Sequence, residues 1–190
     1  LVSLLIFSFQ SVHGEAISTV TVPIKFGSST PAAENLFGML VNSGGVAQYF
    51  GTTNSSGILT FYSVDEGAYT LQLRPTQSSS CSSCGLYLNK DSSVLVSTSA
   101  TGYNSGANSL TLDNEELEAA TRYITVIVKE GANPEASSAS VGTPIAGLYV
   151  SGWQGSGSYA SGITDSNGKV YIAVSDDNDG LWSLSTYAPS

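Results

Sequence analysis

The feature that most constrains the fold of this 190-residue chain is an internal repeat. Three blocks recur in the same order, each with a later counterpart: VTVPIKFG (20–27) with ITVIVKEG (124–131), TNSSGILTF (53–61) with TDSNGKVYI (164–172), and GAYTL (67–71) with GLWSL (180–184). The offsets drift slowly, from 104 to 111 to 113 residues. Such drift indicates two homologous modules that differ in loop length.

Each block predicts β-structure. The first block of each set alternates with period two, and the second places an Asx residue and a Gly in a turn before an alternating strand. The chain holds 20 Gly and only 11% charged residues, a composition that favours strands over helices. We therefore predict an all-β fold of two tandem Ig-like or prealbumin-like sandwiches, preceded by an N-terminal extension strand.

The predicted domain boundaries follow from the repeat. Residues 16–112 form the first module, called repeat 1, and residues 122–190 form the second, called repeat 2. Residues 1–15 are the extension. Residues 113–121, with the acidic run DNEELEAA, are predicted to be a linker or a single helical turn.

The turn blocks carry a family resemblance. TNSSG followed by GAYTL, and TDSNG followed by GLW, resemble the T-D-x-x-G … G-x-Y pattern of carboxypeptidase regulatory-like and Cna B-type domains. The resemblance covers most of residues 16–190 and implies prealbumin-like β-sandwiches of the kind found in surface proteins and pili. Family members continue to a Gly-Tyr and one last strand. Repeat 1 has this continuation at Gly102-Tyr103 and 108–112, whereas repeat 2 lacks it, so we expect an open groove or sheet edge there.

The most apolar segment is LVSLLIFSFQSV, residues 1–12. It is either the remnant of a secretory signal cut before Glu15 or a retained strand rich in Val, Ile, Leu and Phe. Both alternatives imply export. A retained strand could fill repeat 2 of a neighbouring copy, with Leu1, Leu5, Phe7 and Phe9 pointing into the acceptor. Such a head-to-tail contact does not close, so it would propagate into a filament.

The predicted function is therefore a structural, non-enzymatic subunit of an extracellular cell-surface filament, a homopolymer of identical subunits. The alternative is a secreted monomeric binding module for a carbohydrate or a protein partner, using Trp153, Tyr149 and Tyr159. The two alternatives differ in whether a chain without residues 1–14 remains a stable monomer.

The composition and the motif content argue against nucleic-acid-binding proteins, membrane-spanning proteins and enzymes. Six Lys and Arg against fifteen Asp and Glu give a net charge of −9, which argues against nucleic-acid partners. No apolar run reaches about 18 residues, so no membrane span is expected. The single histidine, His13, lies beside the apolar segment, and phosphate-binding, dinucleotide and nucleophile-elbow motifs are missing from the sequence, so we expect no enzyme.

The sequence contains candidate sites for a disulfide and for glycans. Cys81 and Cys84 form a lone C-x-x-C, for which export favours a local disulfide over cross-links between subunits or a metal site. Asn54 heads the only N-x-S/T sequon and lies on a predicted turn, so it is the candidate N-glycan site. The many Ser and Thr residues are further candidates for O-glycans.

Two further sets of residues are candidate sites. Asp176, Asp177 and Asp179 form an acidic turn, either merely solvated or a calcium site, although the EF-hand spacing fails. Lys25 and Lys129 occupy equivalent strand positions. The family resemblance implies isopeptide bonds at such lysines, promoted by burial. The usual asparagine partner is not evident in either repeat, and exposed strand-end lysines are the alternative.

Overall fold

The computed structural model describes residues 16–27, 30–31, 34–79, 81–131, 142–155, 159–174 and 180–187. The fold is all-β, as the repeat pattern predicted, with one 3-10 turn at Cys84–Leu86. Within these residues, no helix has the length and apolar character needed to cross a membrane.

Repeat 1 and the segment after it form two sheets. Their strands are β1 (Ile17–Phe26), β2 (Thr30–Pro31), β3 (Phe37–Asn42), β4 (Ala47–Thr52), β5 (Ile58–Val64), β6 (Gly67–Arg74), β7 (Lys90–Val96), β8 (Tyr103–Asn104), β9 (Ser109–Thr111) and β10 (Glu115–Leu117). One sheet has the order β4-β3-β6-β7, and the other is built around β1. Strand β5 pairs antiparallel with one side of β1, and β9 and β10 pair parallel with it.

The core of repeat 1 lies between these sheets. Alternate residues of β1 point inward, so that Val20, Val22 and Ile24 are buried. They belong to one large apolar cluster that also includes Leu71 and Leu73 of β6. Both sheets contribute to this cluster, which accounts for the two-layer arrangement.

The segment 113–121 corrects the sequence prediction. In place of a linker or a helical turn, residues 115–117 form β10, which pairs with the end of β1 in the register Ile24–Glu115. Leu117 is fully buried, and the Glu115 carboxylate lies 2.9 Å from the Lys90 ammonium group. The helix-favouring Glu and Ala residues are therefore overridden by pairing with β1 and by burial of one leucine.

Repeat 2 has fewer described strands. They are β11 (Arg122–Ile127), β12 (Tyr149–Gln154), β13 (Tyr159–Ile163), β14 (Lys169–Val174) and β15 (Trp182–Tyr187). Strands β11 and β14 form one sheet, and the other has the order β13-β12-β15. These pairings reproduce β1-β5 and β4-β3-β6 of repeat 1. The fully buried apolar residues of this core are Val150, Val170 and Ile172.

The matched turns explain why the repeat is visible in the sequence. The Asn54 side-chain oxygen accepts hydrogen bonds from the backbone N–H groups of Ser56 and Ile58. The Asp165 carboxylate does the same for the N–H groups of Asn167 and Lys169. Each is an Asx turn that leads directly into β5 or β14.

Gln77 joins the two repeats. It follows β6, is 2% exposed, and forms a bridge with Gly162 of β13. Its side-chain nitrogen donates to the Lys169 carbonyl oxygen (3.1 Å), and its side-chain oxygen accepts from the Tyr171 N–H (2.8 Å). Its own carbonyl oxygen accepts from the Ile163 N–H. One residue of repeat 1 therefore contacts both sheets of repeat 2, β14 through its side chain and β13 through its backbone.

Candidate functional site

Each of the two sheets of repeat 2 has an edge strand with no neighbour on one side among the described strands. In repeat 1, β1 has strand neighbours on both sides, and β6 lies between β3 and β7. Among the described strands, the equivalent β11 pairs with β14 alone, and the equivalent β15 pairs with β12 alone. We call the sides of β11 and β15 on which no described strand pairs the open edges.

Matched residues on β1 and β11, the first strands of the two repeats, differ in how deeply they are buried. Val20 and Val22 of β1 are fully buried, at 0% exposure. Their counterparts on β11, Ile124 and Val126, are only partly buried, although both pack against the core of repeat 2. The sequence alternation is the same, so the difference comes from the neighbouring strands that β1 has and β11 lacks among the described residues.

The difference in exposure is larger between the matched strands β6 and β15 of the other sheet. Leu71 of β6 is fully buried, whereas its counterpart Leu184 of β15 is 44% exposed. Leu184 lies opposite Gly152, and a Cβ built on Gly152 would lie 3.0 Å from Leu184 Cδ2. Because Gly152 is two residues from the buried Val150, that Cβ would point toward the core. Leu184 is thus a core-facing leucine that remains uncovered.

This arrangement can accept additional strands. An open sheet edge presents backbone N–H and C=O groups to a new strand, and the uncovered apolar side chains give that strand a surface to pack against. The expected missing last strand of repeat 2 remains a prediction, because residues 188–190 and 1–15 lie outside the described part of the chain. The predicted donor residues Leu1, Leu5, Phe7 and Phe9 fall in the second of these segments.

The aromatic residues singled out in the sequence come together on the outer side of repeat 2. Trp153 lies opposite Tyr159 on neighbouring strands, and the Tyr149 and Tyr159 hydroxyl groups are 2.6 Å apart. Burial raises the pKa of Tyr159, and the hydrogen bond with Tyr149 raises it further. Tyr187 of β15 lies opposite Tyr149 and is 60% exposed. Sequence reasoning missed Tyr187, since its place depends on strand register.

A cleft of about 420 Å³ separates the outer part of β13 from repeat 1. Its walls include Arg74, Tyr87, Asn89, Asp91, Tyr159 and Trp182. Arg74 and Asp91 form an ion pair with each other, and the Asn89 side-chain nitrogen donates to the Tyr159 carbonyl oxygen (2.7 Å). The polar groups of this cleft therefore already serve contacts within the protein.

The structure describes the predicted cysteine pair and the candidate glycan site. Cys81 and Cys84 form a disulfide, with an S–S distance of 1.99 Å, in the segment that carries Gln77. Asn54 is exposed at its turn, and glycosylation there stays a prediction.

The lysines and the acidic turn are likewise untested. Lys25 pairs with Pro31 and Glu116, and Lys129 forms a bridge with Pro144, so the two lysines keep equivalent places at strand ends. Isopeptide bonds at these lysines remain a prediction. The candidate calcium ligands Asp176, Asp177 and Asp179 lie outside the described residues. Within the described ranges, no group of three metal-ligating side chains occurs.

No protein-family model and no curated protein matches the sequence. Among solved structures, the group B streptococcus pilus 2b backbone protein is 19% identical, with a TM-score of 0.40, over 55% of this chain and 42% of that one. The shaft pilin SpaA of Lactobacillus rhamnosus GG is 11% identical, with a TM-score of 0.38, over 90% and 86%. The Bacillus anthracis TIE protein is 12% identical, with a TM-score of 0.38, over 90% of this chain and 28% of that one. Similarity at this level gives no information about function.

Proposed function

We propose that this protein is a structural subunit of an extracellular filament, in which the apolar N-terminal segment of one copy adds a strand to repeat 2 of the next. The observation that carries the proposal is the difference between matched positions, with Leu71 buried and Leu184 44% exposed. In repeat 1, β1 and β6 have strand neighbours on both sides. Among the described strands of repeat 2, their counterparts β11 and β15 have a neighbour on one side only.

The proposed occupant is residues 1–12 of a second copy. This segment is long enough to cover a strand such as β15, which has six residues. Its Leu, Ile and Phe side chains match the apolar surface left by Ile124, Val126 and Leu184. Each large apolar side chain that becomes fully buried contributes about 1.5–3 kcal/mol, and the open edges would gain backbone hydrogen bonds.

The contact is heterologous, because the donor is at one end of the sequence and the acceptor is repeat 2. A heterologous contact repeats from copy to copy and generates a filament rather than a two-fold dimer. The Cys81–Cys84 disulfide supports a location outside the cell, where such bonds persist.

The acceptor is tested with the full chain. Leu184→Asp places a charge on the open edge, whereas Leu95→Asp places the same charge on β7 of repeat 1, where Leu95 is 57% exposed. We expect the parent chain and the Leu95→Asp variant to form filaments in electron micrographs and fast-sedimenting species. Leu184→Asp should remain monomeric. Equal assembly by both variants would contradict the proposal.

The donor is tested separately with Phe7→Asp. This variant should not assemble alone, but its repeat 2 should still accept an added peptide of residues 1–14, with a rise in the unfolding temperature. A scrambled peptide of the same composition is the control. If the intact mass of the natural protein begins at Glu15, the segment is removed before assembly and the proposed donor is wrong.

A further inference from the structure

The outer face of the β13-β12-β15 sheet is a second surface of repeat 2, distinct from the open edges. Val150 points into the core, so its neighbours Tyr149 and Ser151, and then Trp153, point outward. The pairing register places Tyr159 beside Trp153 and Tyr187 beside Tyr149. We call this surface the aromatic face, defined by Tyr149, Trp153, Tyr159 and Tyr187.

A row of serines separates the two ends of the aromatic face. Ser151 lies opposite Ser161 on one side and opposite Ser185 on the other. A hydroxyl group both donates and accepts hydrogen bonds. Ser151 is buried, so the serines that a ligand can reach are Ser183 and Ser185 of β15, which lie on the same face from the level of Trp153 toward that of Tyr187.

The face is electrically neutral in a strongly acidic chain. None of the residues of β12, β13 and β15 carries a charged side chain, although the chain has a net charge of −9. A phosphate or carboxylate ligand would find no cation on these strands and would be repelled by the protein as a whole. An uncharged ligand rich in hydroxyl groups matches the face.

Two rings of the aromatic face are hydrogen-bonded to each other, and the other two are accessible. The hydrogen bond between the Tyr149 and Tyr159 hydroxyl groups fixes two rings above Ser151, which is 5% exposed. Trp153 and Tyr187 are 43% and 60% exposed. They lie at opposite ends of the face, four residues apart along the strands, which corresponds to about 13 Å. A ligand that contacts both must be an extended chain rather than a single ring.

We propose that the aromatic face binds a linear, uncharged polysaccharide. Sugar rings stack on Trp153 and Tyr187, and sugar hydroxyl groups between them exchange hydrogen bonds with Ser183 and Ser185. This site is independent of strand addition, because it lies on the opposite side of the sheet from the core-facing Leu184.

The experiment is affinity electrophoresis of the full chain in native gels that contain glucan, mannan, xylan or galactan, with polygalacturonate as the charged comparison. We expect retardation by at least one neutral polymer and none by polygalacturonate. Trp153→Ala and Tyr187→Ala should each raise the dissociation constant about tenfold or more, since each removes a stacking ring. Tyr62→Ala is the matched control, because Tyr62 is 70% exposed on β5 of repeat 1.

Each outcome decides the proposal. Retention of neutral polymer binding in Leu184→Asp would separate this site from filament assembly. The proposal is overturned if no neutral polymer retards the parent chain, or if Tyr62→Ala weakens binding as much as Trp153→Ala. It is also overturned if the parent binds no polymer and instead shows a self-association that Trp153→Ala abolishes, because the face would then contact protein.

Discussion

Replacing Gln77 by alanine should uncouple the two repeats. The substitution removes the donor to the Lys169 carbonyl oxygen and the acceptor of the Tyr171 N–H, both at a residue that is 2% exposed. The Lys169 carbonyl oxygen keeps its hydrogen bond from the Asp165 N–H, so the main loss is at the Tyr171 N–H. A buried polar group left without a partner costs about 1–3 kcal/mol, and the substitution should therefore cost about 1–3 kcal/mol. The backbone contact between Gln77 and Ile163 remains in the variant and limits the loss.

The assay exploits the position of the tryptophans. Both of them, Trp153 and Trp182, lie in repeat 2, so tryptophan fluorescence during urea unfolding reports on that repeat. Circular dichroism reports on both repeats. We expect Gln77→Ala to lower the urea midpoint of the fluorescence transition by roughly 1 M, for a typical urea dependence of about 1–3 kcal/mol per M. The two transitions, if coincident in the parent, should separate.

Gln72→Ala is the matched control for this experiment. Gln72 is also a glutamine of this region, but its side chain donates to Asp91 in an exposed contact of 3.3 Å. Its loss should change the unfolding free energy by less than about 0.5 kcal/mol. If Gln77→Ala moves the fluorescence midpoint no further than Gln72→Ala does, the inference that Gln77 supports repeat 2 is refuted.

Three other predictions concern the two cores and the chemistry of repeat 1. Leu71→Ala should cost about 2–5 kcal/mol of unfolding free energy, and Leu184→Ala in unassembled protein about 1 kcal/mol or less, as measured by urea unfolding. Equal costs would mean that the open edge is covered. Reduction of Cys81–Cys84 should lower stability by about 2 kcal/mol, since the bond closes a short loop, and a thermal melt with and without reductant measures this. Burial raises the pKa of Tyr69 to about 12 from an ordinary value of 10, so folding stabilises its protonated form. Stability should therefore fall as the pH rises from about 10 to about 12, and Tyr69→Phe should reduce that fall.

The elements that the sequence predicted well are those with local causes. The Asx turns at Asn54 and Asp165 are formed by hydrogen bonds within five residues, so their spacing predicts both the turn and the strand that follows. Alternation with period two likewise predicted a strand at residues 20–27, and the structure has β1 there with Val20 and Val22 buried. A pattern that repeats after about 110 residues made both predictions more secure.

The elements that were missed depend on contacts between distant segments. Strand β10 exists because Glu115 pairs with Ile24, a partner 91 residues earlier, and local composition instead favoured a helical turn. Gln77 looks like an ordinary loop residue until repeat 2 packs against it. Tyr187 joins the aromatic face only through its register with Tyr149. No local pattern reports such long-range pairings.

The docking of Gln77 also has a consequence for the order in which the chain acquires structure. Repeat 1 precedes repeat 2 during synthesis, and its buried cluster is drawn entirely from residues 17–117, so it can collapse before repeat 2 has emerged. Repeat 2 has three fully buried apolar residues in its cluster and takes two of its interior hydrogen bonds from the Gln77 side chain. The first repeat should therefore act as a template on which the second one folds. In a chain whose repeat 1 has not folded, we expect the C-terminal half to remain unstructured.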